Sequence, residues 1–198
     1  MVGAFLESSG GRSNEPIHSI LCIVAQTLER VYKYYYYIIQ GATAEMKLTL
    51  ERAKELNDAQ VTEEHLILHA KNVMYAMGAM AAHFGEDSEH WMAVGYLHDY
   101  DYEKFPEEHL EHTEKELLSE GVDPEDVRAI LSHGYGICTD VKPETDLEKS
   151  LFTVDELTGI IQACARMRPL GIRDLEVKSF MKKFKDKRFA AKCDRSLI

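Results

Sequence analysis

The sequence predicts an all-α orthogonal helical bundle with its active site between helices. Three observations point there. Apolar residues recur at helical offsets through most of the 198 residues, helix start and stop residues punctuate them, and no strand-like alternation or Asn-Gly hairpin intervenes. With 45% hydrophobic residues, the chain is long enough for one core and too short for two sizeable domains.

Taken in order, residues 1–15 contain Ser-Ser-Gly-Gly and read as a flexible terminus without the basic start of a signal peptide. Residues 16–60 read as a helical extension of unknown role. Within it, Ile17 to Gln40 is rich in Ile, Leu, Val and Tyr, but Glu29, Arg30 and Lys33 interrupt it and argue against a membrane span. The run Tyr34 to Tyr37 suits a helix packed on the core or on a partner chain. From residue 61 the bundle proper is expected. Thr62 caps a helix that opens with Glu63 and Glu64 and ends near Gly85, and the apolar run Trp91 to Leu97 follows. Pro106 opens a helix that Gly121 closes, and Asp123-Pro124 opens the next. After Lys142-Pro143, a long apolar-periodic stretch carries Asp155 and stops before Pro169.

The chemistry-bearing residues lie on the inward stripes of these helices. His98 continues the stripe of Trp91, Val94 and Gly95, and Asp99 stands beside it. His69 precedes Val73, Met77 and Met80 at offsets of +4, +8 and +11. Asp155 has Leu151 and Phe152 one turn before it and the small Thr158 and Gly159 one turn after. A buried carboxylate is costly unless paired or metal-bound, so two of them among two histidines favour a shared cation. His65, one turn before His69, could also form a metal pair with it at i, i+4. His109 and His112 lie one turn apart on the helix expected after Pro106, and His133 precedes the turn Gly134-Tyr-Gly136.

The order His69, His98-Asp99, Asp155, with 29 residues from the first histidine to the doublet, resembles the HD-domain superfamily of metal-dependent phosphohydrolases. The strings His98-Asp-Tyr-Asp-Tyr-Glu-Lys104, Pro106-Glu-Glu-His109, Ser132-His-Gly-Tyr-Gly-Ile137 and Asp155-Glu-Leu-Thr-Gly-Ile160 are similar to those of small bacterial HD hydrolases. The resemblance covers residues 62 to 195 and makes 61–198 an HD-type hydrolase domain. It implies His69, His98, Asp99 and Asp155 as metal ligands and selects His69 over His65. In a binuclear site of this family Asp99 bridges two ions, and His109 and His133 complete the second. Between His109 and His112 the residues alone leave the choice open.

The resemblance implies hydrolysis of a small phosphate ester or nucleotide by a metal-activated water, with no Ser or Cys nucleophile required. Asp99 is the central catalytic group, Asp101 a supporting acid two residues on, and Lys104 a residue to hold phosphate. Histidine with carboxylate suits one or two divalent ions of Mn, Fe, Co, Ni or Zn, with Mg also admissible. Two carboxylates are neutralised by one divalent ion, whereas a second makes the site positive and suited to phosphate. Two other functions fit the same residues. One is a di-iron oxygenase, as the inositol oxygenases are on this scaffold, and the other is a binding or regulatory module stabilised by its metal.

The net charge of −11 argues against general nucleic-acid binding and against attraction to anionic membranes. It is uneven. From Lys178 to Arg195 eight basic residues face two acidic ones, a local +6 that leaves −17 elsewhere. This basic C-terminal region, with Arg166 and Arg168 before Pro169, could meet an anionic substrate or the acidic body of a neighbouring subunit in a homo-oligomer. Cys22, Cys138, Cys164 and Cys193 are far apart and form no Cys-x-x-Cys pair. They suggest neither a zinc knuckle nor a disulfide framework, and a reducing cytoplasm is the expected compartment.

Overall fold

The computed structural model describes residues 47–191 and 193–198, within a compact unit that spans Met46–Ile198. The expectations for residues 1–15 and for Ile17 to Gln40, Tyr34 to Tyr37 included, lie outside the described residues. Among the described residues the fold is all-helical, with seven α-helices, two short 3-10 turns and no strand. None of these helices is long and apolar enough to cross a membrane.

The first helix, α1 (Leu50–Gln60), is capped by the Thr49 hydroxyl, which accepts from the Arg52 amide. Its Ala53 and Leu56 are buried in the main core. The sequence boundary at residue 61 therefore falls inside the compact unit, because α1 supplies core side chains that its weak apolar stripe underplays. Helix α2 (Glu64–Phe84) ends where Gly85 takes φ 77°. Thr62 does not cap it. The Thr62 hydroxyl donates to Glu103 at 2.7 Å, and the same carboxylate accepts the amides of Thr62 and Glu63. An acid outside the helix thus satisfies these amides and ties the loop after residue 98 to the start of α2.

Helix α3 (Ser88–Leu97) is capped by Asp87, which accepts from the amides of Glu89 and His90, and it ends at His98. It packs against α1, α2 and α5 (Pro124–Ser132), which Asp123 caps as expected. The helix expected from Pro106 to Gly121 is broken. Pro106–Glu108 is a single 3-10 turn, Leu110 sits at φ 70°, and α4 (Thr113–Ser119) begins only afterwards. Leucine rarely takes a positive φ, and its buried amide is held there by Asp101 Oδ2 at 2.9 Å. Helix α6 (Asp146–Arg166) opens with a full capping box between Thr145 and Glu148 and packs on α2, α5 and α7 (Val177–Phe184).

The core gathers Met77, Leu97, Leu117, Ile130 and Leu151, all fully buried. Gly95 sets the approach of α3 to α2. A Cβ there would lie 2.8 Å from Met77 Cγ and 3.3 Å from the Met74 Cα. Gly95→Val is expected to lower stability by about 1–3 kcal/mol in urea unfolding, overpacking outweighing its better helix propensity.

A second contact makes stability depend on pH without involving the site described below. His90 Nε2 lies 2.6 Å from Asp126 Oδ1, while Asp126 Oδ2 accepts the Leu48 amide at 3.3 Å. The hydrogen bond to Asp126 raises the His90 imidazole above its ordinary value, against burial and the charge of Lys47, with Asp87 assisting. A raised folded value contributes stability that is complete below about pH 6.5 and is lost as pH rises through the folded value. The thermal midpoint of the wild type should therefore fall above pH 6.5 more than that of His90→Gln. Parallel pH profiles for the two proteins would contradict this.

Candidate metal centre

Five separate segments deliver six side chains to one place. His69 comes from the second turn of α2, His98 and Asp99 from the end of α3, His109 from the break after the 3-10 turn, His133 from the end of α5, and Asp155 from the middle of α6. Three overlapping groups of these residues have ligand atoms within 4.8 Å of one another and can hold a metal ion.

The two oxygens of Asp99 face different ways. Its Oδ2 lies 3.5 Å from His69 Nε2 and 3.3 Å from His98 Nε2. Asp155 Oδ1 completes this set, 2.8 Å from His69 Nε2 and 3.5 Å from His98 Nε2. Asp99 Oδ1 faces the other pair, 3.4 Å from His109 Nε2 and 3.6 Å from His133 Nε2. Within each pair the ring nitrogens also crowd together, at 3.1 Å for His69 and His98 and 3.2 Å for His109 and His133.

Three of the imidazoles have their other nitrogen engaged. His98 Nδ1 donates to the Gly95 carbonyl at 2.9 Å, and His133 Nδ1 donates to the Ile130 carbonyl at 2.6 Å. His109 Nδ1 donates to Asp101 Oδ1 at 2.8 Å. A carbonyl or carboxylate only accepts, so Nδ1 carries the proton and a neutral ring aims the Nε2 lone pair inward. This is the outer support that metal-binding histidines ordinarily have.

A set of lone pairs packed this closely needs protons or cations between them. A cation about 2.1 Å from each ligand separates neighbouring ligands by about 3.0 Å in octahedral and about 3.4 Å in tetrahedral geometry. The spacings from 2.8 to 3.6 Å cover that range. The residues present therefore fit a divalent ion.

In protonated form the cluster compensates itself. Burial opposes charge on His98, yet the neighbouring Asp99 and Asp155 carboxylates hold its imidazole well above the ordinary value. Burial would raise Asp99, but the His98 charge and hydrogen bonds from His109 and His133 hold it well below the usual carboxylate range. Asp155 is likewise lowered, hydrogen bonds from His69 and His98 outweighing burial. Burial also works against His109, which hydrogen bonds to Asp101 and Asp99 push up to about 9. Protons and metal cations thus compete for the same lone pairs, and cation uptake should release protons.

Other expected residues fall elsewhere. His112 pairs with Glu108 at 2.7 Å and stacks on Phe105, so His109 alone of the two reaches the cluster. His65 pairs with Glu63 at 3.1 Å on the exposed side of α2. The Lys104 ammonium donates to the Gln60 side chain. Asp101 is buried against His109 and the Leu110 amide, which makes it a positioning residue. Cys138 lies near Asp101 and Asp99, and burial together with those charges pushes its thiol up, the wrong direction for a nucleophile. Sequence reasoning gave no sign of Tyr102, whose ring meets His109 edge-on at 5.0 Å, or of the Glu103 clamp on α2. A tyrosine and a glutamate in an acidic loop carry no local signal of such partners.

Comparison of the chain with protein-family models, with curated proteins and with solved structures gives no match.

Proposed function

We propose that the chain is a metal-dependent phosphohydrolase of the HD-domain type, acting on a small phosphate ester or nucleotide. The observation that carries this reading is the divided carboxylate of Asp99, with one oxygen toward His69 and His98 and the other toward His109 and His133. In this reading His69, His98, Asp99 and Asp155 hold one divalent ion, and Asp99, His109 and His133 hold a second. Two divalent ions against two carboxylates leave the centre positive, which attracts a phosphoryl group, whereas one ion leaves it neutral. Bound there, such ions would supply Lewis-acid polarisation of a phosphoryl oxygen and activation of a water.

The protein's own residues fix the arrangement. Gly95, Ile130 and Asp101 set the three imidazole tautomers, and the Asp101 grip on the Leu110 turn aims His109. Nitrogen and carboxylate donors suit Mn, Fe, Co, Ni or Zn, with Mg admissible.

The test is a screen of phosphate monoesters, nucleotides and cyclic nucleotides with protein reconstituted in Mn, Co or Zn. Hydrolysis that chelation removes and metal restores is expected. Metal-loaded protein that hydrolyses none of them would contradict the activity, and oxygen uptake by an iron-loaded, visibly coloured protein would favour an oxygenase on the same ligands.

A further inference from the structure

Five of the eleven large apolar side chains exposed among the described residues fall between Met167 and Met181. Met167, Leu170, Ile172 and Val177 are 61%, 59%, 66% and 77% exposed. Side chains this exposed stand out from the surface and do not line a groove. The Arg168 guanidinium donates to the Ser179 hydroxyl, bringing the two ends of the segment together. On α7 the Phe180 and Phe184 rings lie 5.8 Å apart and are half-buried. Val177 and Met181, at i and i+4 on the same apolar face, are exposed. Exposed Lys178, Lys182 and Lys185 and one acid, Glu176, border this stripe, and exposed Arg166 and Arg173 border the preceding loop.

Projecting apolar side chains within a basic border call for a partner that is anionic at its surface and apolar beneath. A symmetric pair of copies meeting through this face is disfavoured, because each would set the same excess of lysines and arginines against itself. A peptide would need a concave seat for its side chains, and these side chains project. From this combination we infer that the segment from Arg166 to Lys185 docks on an anionic lipid surface, its apolar side chains entering the headgroup boundary and its basic border meeting the headgroups. The whole-chain charge of −11 is an average that hides this face, and the acidic remainder of the chain is screened beyond about 8 Å at physiological salt. The inference is independent of the proposed hydrolysis.

Co-sedimentation of the full chain with vesicles tests it. Binding to phosphatidylcholine mixed with phosphatidylserine, and not to phosphatidylcholine alone, is expected, and high salt should release it. The pairs Val177→Asp with Met181→Asp, and Lys178→Glu with Lys182→Glu, should each weaken binding by about tenfold or more, since each changes two exposed contacts. Equal partition onto neutral vesicles, unchanged binding in either pair, or a dimer in light scattering that Val177→Asp dissolves would overturn the lipid assignment.

Discussion

Replacing Asp99 by alanine is expected to remove metal binding and phosphohydrolysis together. The substitution takes one oxygen from each ligand set at once, leaving His69, His98 and Asp155 on one side and only His109 and His133 on the other. It also lowers the fixed negative charge that offsets the cations from two carboxylates to one. Metal content should fall from about two ions per chain to well below one, with hydrolysis at background. Removing Asp155 should by contrast weaken the first set, which keeps His69, His98 and Asp99, and spare the second. If Asp99→Ala kept full activity, or lost one ion while keeping the other tightly bound, the divided-carboxylate assignment would be wrong.

Asp101→Ala should give the second large effect, through position and not through ligation. Asp101 holds His109 Nδ1 at 2.8 Å and the buried Leu110 amide at 2.9 Å, so its loss frees the ring and strands a main-chain donor. The stranded donor alone costs about 1–3 kcal/mol of stability. Loss of an outer partner lowers metal affinity by about 10–100-fold, and here the weakening should be confined to the ion held by His109 and His133. Asp101→Asn retains an acceptor oxygen for one of the two contacts and should recover part of both effects. Calorimetric titration of both variants with manganese or zinc would show whether one binding step weakens and the other survives. Equal weakening of both steps would mean that Asp101 supports the fold and not His109 in particular.

The first of the proposed ligand sets is legible in the sequence as one cluster because its members obey helix periodicity. His69 and His98 continue apolar stripes of α2 and α3, and Asp155 occupies the inward turn of α6 between Leu151 and Thr158, all of which the structure brings together. His133 is legible for a different reason, since a histidine that ends a helix before a glycine turn can leave the helix face. The choice between His109 and His112 is not legible. It depends on a left-handed leucine that breaks the expected helix, and leucine carries no sequence sign of that conformation. The same break explains why Asp101 reads as a supporting acid without a stated partner. The placement of α1 escapes for a third reason. Its core contribution comes from the small Ala53 and from Leu56, too few apolar residues to mark a stripe.

The measurement that bears most directly on the metal centre is elemental analysis of chelator-free protein, wild type beside Asp99→Ala, in moles of each metal per chain. About two ions in the wild type and a near-complete loss in the variant is the predicted result. One ion would confine the centre to His69, His98, Asp99 and Asp155, and none after reconstitution with manganese or iron would contradict a metal centre altogether.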